Sequence, residues 1–411
     1  MGDLPSGGGT FVEVGHYQVC KAGQGAEGDA FLSQKCADDG RVITVLSDGL
    51  GSGIKAGVLS ILTATMAMKF IAADIPIKRA ASIIMNTLPV CKVRGISYAT
   101  LTLVDVAPDS AVRIIEYDNP QFVLVRENTV VEPITQYVTF ERKRKSAAPE
   151  RESVLRYSSY CARPGDRLAF FSDGVTQSGM GSRPYPFGWG IGNVQSFILS
   201  TVAARPDISA RDLARAIVTE AQGHDGYKAK DDITCGVIYF RNPRDLLVMS
   251  GPPVSPERDA EMVRAFQAFA GRKIICGGTT ATIIARGLKV PVSLDLKNLD
   301  PVVPPTARME GADLVTEGII TLGKVSEILE RGALLGGGGD ILENERDNGA
   351  RRIVELMLDS DRITFVVGTK VNEAHQDPNM PLELEMRRNV VKKIKALLCE
   401  HYLKEVSITY L

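Results

Sequence analysis

Short runs of β-branched and aromatic residues, each closed by a turn signal, dominate the first 240 positions. Val42–Leu46 (VITVL) is one such run and ends in Ser47-Asp48-Gly49. Tyr98–Val106, Val112–Tyr117 and Phe122–Arg126 follow the same pattern, with Pro108-Asp109 and Asn119-Pro120 as punctuation between them. Residues 130–165 read as further hairpin material. Arg167–Ser172 (RLAFFS) is a buried-strand run that stops at Asp173-Gly174, and Ile233–Phe240 (ITCGVIYF) is entered directly from Asp231-Asp232. Helical spacing is rarer. It predicts a helix from Ile54 to Ala73, a second from Ile77 to Thr87 beyond Pro76, and a third over Ser209–Ala221.

The pattern changes after Arg241-Asn242-Pro243-Arg244, which reads as a linker. Strands Leu246–Met249, Lys273–Cys276 and Ile363–Val367 now alternate with helices at about Pro256–Ala270, Leu322–Arg331, Ala350–Leu358 and Leu382–Leu398. A β-α-β-α order implies an α/β three-layer domain. The expected organisation is therefore residues 1–243 as one domain and 244–411 as a second, with no internal repeat at a fixed period.

Composition narrows the function. The 411 residues are 44% hydrophobic and 24% charged, and 48 basic residues balance 49 acidic ones to a net charge of −1. That excludes global disorder and a strongly basic nucleic-acid or anionic-membrane footprint over the whole chain. Seven scattered cysteines without a CxxC pair suit reduced thiols in a cytoplasmic protein better than a zinc site or a disulfide framework. The N-terminus has no signal-peptide pattern, and the apolar stretch Gly57–Ala73, interrupted by Lys69, reads as too short and too polar to span a bilayer.

One device recurs: an apolar strand meets an aspartate that sits beside glycine or a second aspartate. It appears in VITVLSDGLGSG with Asp48, in RLAFFSDGVTQSG with Asp173, and in KDDITCGVIYF with Asp231 and Asp232; GQGAEGDAFL with Asp29 is a weaker example. Any single Asp-Gly is an ordinary turn. As an ordered set, carboxylates at strand ends can meet at one rim of a sheet. Magnesium or manganese favours such oxygen ligands, and a pair of ions about 3.5–4 Å apart can activate water for in-line attack on phosphorus.

These motifs resemble the metal-dependent serine/threonine phosphatases of the PPM, or type 2C, superfamily, in their bacterial SpoIIE-like branch. The resemblance covers about residues 10–240. It rests on DGLGSGIKAG at 48–57, YDNPQFVLVREN at 117–128, FFSDGVTQSG at 170–179 and KDDITCGVIYF at 230–240. It implies an α+β fold, a β-sandwich flanked by helices, with two Mg2+ or Mn2+ ions at one rim. By the same resemblance Asp48 and Asp173 are the central catalytic carboxylates. Asp29, Asp48, the Gly49 carbonyl, Asp173 and one of Asp231 and Asp232 would ligate the ions, the family pattern favouring Asp231. Leu50 stands where eukaryotic members often carry a histidine, and their phosphate-binding arginine has no clear counterpart. His224 is a further candidate near the site. The helices at 54–73 and 77–88 would be either ordinary packing elements or a switch.

The implied reaction is hydrolysis of phosphoserine or phosphothreonine on a regulatory protein, an anti-sigma-factor antagonist type being a reasonable substrate class. A homodimer is compatible with it. The other reading is a non-catalytic signalling scaffold whose C-terminal domain binds a small ligand. For that domain no family resemblance is evident. Gly277-Gly278-Thr279-Thr280 after a strand could cradle an anion, as could Ser250-Gly251, with Glu317, Gly318 and Asp340 adding polar contacts. The alternative is that these are simple connections. The basic run Glu141–Lys145 is either a solvated hairpin tip or a docking patch.

Overall fold

The computed structural model describes residues 10–36, 39–49, 51, 53–76, 79, 80, 83, 84, 87, 99–140, 153–295, 300–334, 341, 342, 345–370 and 382–411. Leu50, most of the helix expected at 77–88, the basic run 141–145 and Asp340 lie outside them. The chain separates into two units, Met1–Asn242 and Pro243–Leu411.

Unit one holds two antiparallel sheets. The first runs β1 (Phe11–Val19), β11 (Ile233–Arg241), β10 (Arg167–Phe171), β6 (Val123–Arg126), β7 (Thr129–Val131). The second runs β2 (Asp29–Lys35), β3 (Val42–Asp48), β4 (Leu101–Val106), β5 (Ala111–Tyr117), β9 (Ser153–Cys161), β8 (Ile134–Phe140). Their facing sides share one core that includes Leu46, Val104, Ile114, Leu124, Phe170 and Phe240, all fully buried. The central strands β3, β10 and β11 have nearly every residue buried, which explains their continuous apolar runs.

Helices cover both outer faces. α1 (Ile54–Ala72) lays Ala64, Ala67, Met68 and Ile71 on Ile43, Val45, Leu103 and Ile115 of the second sheet. α3 (Ile191–Ala204) and α4 (Ala210–His224) cover the first sheet through Val194, Ile198, Leu213, Ile217 and Val218; between the sheets and α3, the short α2 (Asp173–Thr176) follows β10. The spacing of α4 is legible because its apolar residues repeat on one face; α3 carries a weaker pattern and was not expected. At 19 residues and a mean hydropathy of 1.5, α1 is long and apolar enough to cross a bilayer by length and composition, contrary to the expectation from Gly57–Ala73. What fixes it here is the face it buries on the sheet.

Unit two has a seven-stranded sheet ordered β14 (Val292–Asp295), β15 (Thr306–Met309), β16 (Leu314–Thr316), β13 (Arg272–Cys276), β12 (Asp245–Ser250), β17 (Arg362–Val367), β18 (Glu405–Tyr410). β16 through β18 are parallel to one another, while β14 and β15 run antiparallel at one edge. α5 (Asp259–Ala268) and α6 (Gly278–Leu288) pack on one face through Met262, Phe266 and Ile284. α7 (Ile319–Leu334), α8 (Gly349–Leu358) and α9 (Leu382–Tyr402) pack on the other through Leu322, Ile328, Ile353, Val391 and Ile394. The three layers follow from burying alternate residues of each strand, Leu246 and Val248 on one side and Leu247 and Met249 on the other.

Candidate metal centre

The strand-end aspartates of unit one converge. Asp29 begins β2 and lies directly opposite Asp48 at the end of β3 in antiparallel register. Asp173 is the first residue of α2, immediately beyond β10, and Asp231 and Asp232 precede β11, the neighbour of β10. The two sheets thus bring their acidic ends to one rim. Asp173 lies within reach of the charges of both Asp48 and Asp231. The field at Asp48 comes from Asp29, Asp173, Asp231 and Asp232 together.

The glycines have a different reason from the one the sequence suggests. A Cβ on Gly49 would fall 2.2 Å from the Ala56 carbonyl oxygen, and one on Gly174 2.1 Å from the Asp232 carbonyl oxygen. Each glycine that follows an aspartate lets a second stretch of backbone press against the rim. Gly49 receives the first turn of α1, and Gly174 receives the strand that carries the acidic pair.

Hydrogen bonds separate the acidic residues into roles. Both oxygens of Asp232 are engaged, Oδ1 by the Lys21 backbone N–H at 3.0 Å and Oδ2 by that of Gly28 at 3.1 Å. Asp232 therefore ties down the loop leading into Asp29. Asp231 is half-exposed, accepts from the Asp232 backbone N–H and sits 3.6 Å from Lys21 Nζ. Asp173 Oδ2 accepts from Gln177 Nε2 at 2.7 Å, one helical turn on. The Asp48 backbone N–H donates to Thr100 Oγ1 at 3.0 Å. Both carboxylate oxygens of Asp29 are buried without a hydrogen-bond partner, although the Thr234 and Ser172 hydroxyls are near enough to ease its charge.

Burial and mutual repulsion dominate the electrostatics. Burial first, then the neighbouring carboxylates, push Asp48 up to about 10. Burial first, with Asp232 and Asp173 adding to it, pushes Asp29 up to about 7. Asp173 is raised by burial, then by Asp231 and by Asp118. A buried acidic cluster of this kind is costly unless it is protonated or neutralised by cations. Its donors are all carboxylate oxygens, two of them buried and unpartnered, which suits a hard divalent cation. Among the described residues no three His, Cys, Asp or Glu side chains are already drawn around one ion position. The centre is an open cluster into which the donors fit.

A cleft of about 780 Å3 opens beside Asp48 and Asp173. Its walls include Thr100, Glu116, Asp118, Asn119, Pro120, Tyr137, Arg156, Thr176 and Gln177. Asn119-Pro120 therefore borders the site. Glu116 and Arg156 are cross-strand partners on β5 and β9, with Nε 3.3 Å from Oε2. Arg156 Nη2 also donates to the Asn119 carbonyl at 2.6 Å, and Glu116 accepts from the Phe122 backbone N–H. This clamp holds the turn in which Asp118 adopts a left-handed conformation at φ 59°.

Thr100, Glu116, Asp118, Arg156 and Gln177 were missed from the sequence. Only Gln177 carried a local signal, its position one helical turn after Asp173. His224 does not line the cleft: its Nδ1 is 3.3 Å from Ser178 Oγ and its ring packs on Tyr185 and Trp189.

Two antiparallel sheets with helices outside and an acidic rim define the architecture of the type 2C protein phosphatases. Residues 38–241 match the family model for stage II sporulation protein E (SpoIIE), and this part of the chain belongs to that family. At the family level it is a protein-phosphatase domain. Similar solved structures include the phosphatase domain of SpoIIE from Bacillus subtilis, 17% identical, covering 57% of this chain and 95% of that one with a TM-score of 0.41. The RsbU and RsbW domains of a Mycobacterium tuberculosis protein are 16% identical, with coverages of 63% and 68% and a TM-score of 0.44. RsbX in complex with magnesium is 17% identical, with coverages of 56% and 95% and a TM-score of 0.37. No curated protein matches the sequence significantly.

Proposed function

We propose that the chain hydrolyses phosphoserine or phosphothreonine on a regulatory protein, using two magnesium or manganese ions at the acidic rim. Asp29, Asp48, the Gly49 carbonyl, Asp173 and Asp231 would hold the ions. Asp232 would act one step back, because both of its oxygens already anchor backbone N–H groups. The observation that carries this reading is the convergence of Asp29, Asp48, Asp173 and Asp231 from four separate stretches of chain.

Bound ions would supply positive charge against the phosphoryl oxygens and lower the pKa of an attacking water. The protein's own groups would do the rest. Gln177 fixes the Asp173 carboxylate, and Thr100 fixes the backbone at Asp48. The cleft beside them, about 780 Å3 in volume, would receive the phosphorylated side chain. Its Arg156–Glu116 pair keeps the 118–120 turn in place as one wall. The substrate class suggested by the family resemblance is an anti-sigma-factor antagonist type of phosphoprotein, in the cytoplasm, with unit two as the regulatory part.

The test is manganese-dependent hydrolysis of p-nitrophenyl phosphate and of a phosphoserine peptide. Wild-type protein should turn over both, and Asp48→Ala should lower the rate about 100- to 1,000-fold or more, since it removes charge from the group that positions the ions. Equal activity in Asp48→Ala would refute the mechanism. A wild type without turnover, in the presence of either metal, would leave the scaffold reading in its place.

A further inference from the structure

The parallel sheet of unit two carries a second set of strand ends. Thr316, Cys276, Ser250 and Val367 stand side by side in register at the carboxyl edges of β16, β13, β12 and β17. The strand order reverses at β12: β13 and β16 follow on one side, β17 and β18 on the other. In open sheets of this kind, ligands sit beyond the carboxyl ends at such a reversal.

Three features at this edge point to an anion. First, α6 begins at Gly278 directly after β13, and its N-cap, Gly277 at φ 130°, offers no side chain to its first N–H groups. A Cβ on Gly278 would meet nothing within 4 Å, and one on Gly277 would meet only Thr280 Oγ1, at 3.5 Å. Backbone does not crowd either glycine, and Thr280 Oγ1 is the nearest atom to a Cβ at Gly277. Second, that hydroxyl is fully buried and has no hydrogen-bond partner, and the same holds for Ser250 at the end of the adjacent strand. Buried hydroxyls are normally satisfied, so two orphans at one edge call for a ligand or an ordered water. Third, Arg387 of α9 brings its guanidinium to Gly251, with Nη1 2.6 Å from where a Cβ would stand. That brings a cation to the turn after β12, the strand next to the one that leads into α6. At the α7 N-terminus on the next strand the Ile320 N–H is already taken by Glu317 Oε2, although Thr321 Oγ1 there is likewise buried without a hydrogen-bond partner.

We propose that unit two binds a phosphate-bearing small molecule at this edge, the phosphate resting on the first turn of α6. The N–H groups of Gly278 and Thr279 and the Thr280 hydroxyl donate to it, and Arg387 balances its charge. The glycines keep the approach free of Cβ atoms, as anion sites at helix N-termini require. The site is independent of the acidic rim in unit one, and its ligand is recognised without a metal.

Titration calorimetry on the full chain in EDTA, with sodium phosphate, AMP and ATP as separate arms, tests this. Chelation keeps the metal centre of unit one out of the measurement. At least one arm should bind, and Thr280→Val and Arg387→Gln should each weaken it at least about tenfold, as expected for a lost hydrogen bond to a charged group. Hydrogen exchange should slow at residues 277–282 when that ligand is present. Phosphate binding as tightly as the nucleotides would mark free phosphate as the ligand; tighter nucleotide binding would mark a nucleoside phosphate, and either outcome upholds the site. Absence of binding in all three arms would overturn it, as would binding unchanged in both variants or protection at residues 28–49 and 173–178 instead. Arg387 is only half-buried, so its variant keeps the test decisive if Thr280→Val fails a circular-dichroism check of its fold.

Discussion

The two units solve the problem of gathering polar groups at strand ends in opposite ways. In unit one, antiparallel strands from two sheets bring side chains to a shared rim, and the groups collected are carboxylates. In unit two, parallel strands bring βα turns to one edge, and the groups collected are helix N–H groups, hydroxyls and a guanidinium. The first arrangement repels itself until cations arrive, as the raised pKa values of Asp29 and Asp48 show. The second, on the proposal above, offers N–H and hydroxyl donors to an anion. The difference teaches that the residue types placed at the strand ends, carboxylates in one unit and glycines and hydroxyls in the other, set the sign of the charge each edge suits.

The largest effect that would sharpen this contrast is on the separate cores. Phe170 between the sheets of unit one and Phe365 in the sheet of unit two are both fully buried. Phe170→Ala and Phe365→Ala should each destabilise their own unit by about 3–5 kcal/mol. Hydrogen exchange should quicken within residues 11–241 for the first and within 245–411 for the second. Uniform quickening in both would break the view of two separate cores.

Next comes a pH effect peculiar to unit one. Burial pushes Glu116 up to about 7 from an ordinary 4.5, against the pull of Arg156 and the Phe122 N–H. The folded state therefore holds the proton more tightly than the unfolded one. Its stabilisation is complete below about pH 4.5 and is lost as pH rises towards 7, at most roughly 3 kcal/mol. Glu116→Gln should remove that dependence, so the stability of wild type relative to the variant should fall across this window in urea titrations. A constant difference would show that the Arg156 pair fully compensates the burial.

Metal binding should come third. Manganese at about 100 times its dissociation constant should raise the unfolding free energy of unit one by about 2.7 kcal/mol, and chelation should reverse it. Asp173→Asn should abolish the gain in thermal melts. A gain in unit two instead would place the metal at the wrong edge.

The smallest effects are at helix caps. Ser209 Oγ accepts from the Asp212 N–H at the start of α4, and Asn348 Oδ1 from the Arg351 N–H at the start of α8. Ser209→Ala and Asn348→Ala should cost about 1 kcal/mol each, seen as shifts in denaturation midpoint confined to the unit concerned.

Much of unit one was legible because its signals are local. Buried central strands make unbroken apolar runs, and aspartates at their ends stand out as Asp48, Asp173 and the Asp231-Asp232 pair. The edge elements were harder. β1 and β2 are mostly half-buried and β14 and β18 have no fully buried position, so none makes an unbroken apolar run, and the contacts that settle them come from elsewhere in the chain. The Glu116–Arg156 clamp left no trace in the sequence either, because its partners are forty positions apart and meet only through the register of β5 and β9.

By itself the sequence determined the residue types at each strand end, and hence that one part of the chain would gather carboxylates and another glycines and threonines. Only the tertiary structure decided which residue does what. Asp231 and Asp232 are chemically identical neighbours, yet one stands half-exposed beside Lys21 Nζ and the other is engaged by the N–H groups of Lys21 and Gly28. Gly49 and Gly174 are needed because distant backbone comes to rest against them. A side chain's role depends on what packs around it, and packing is a property of the folded chain rather than of neighbouring positions along it.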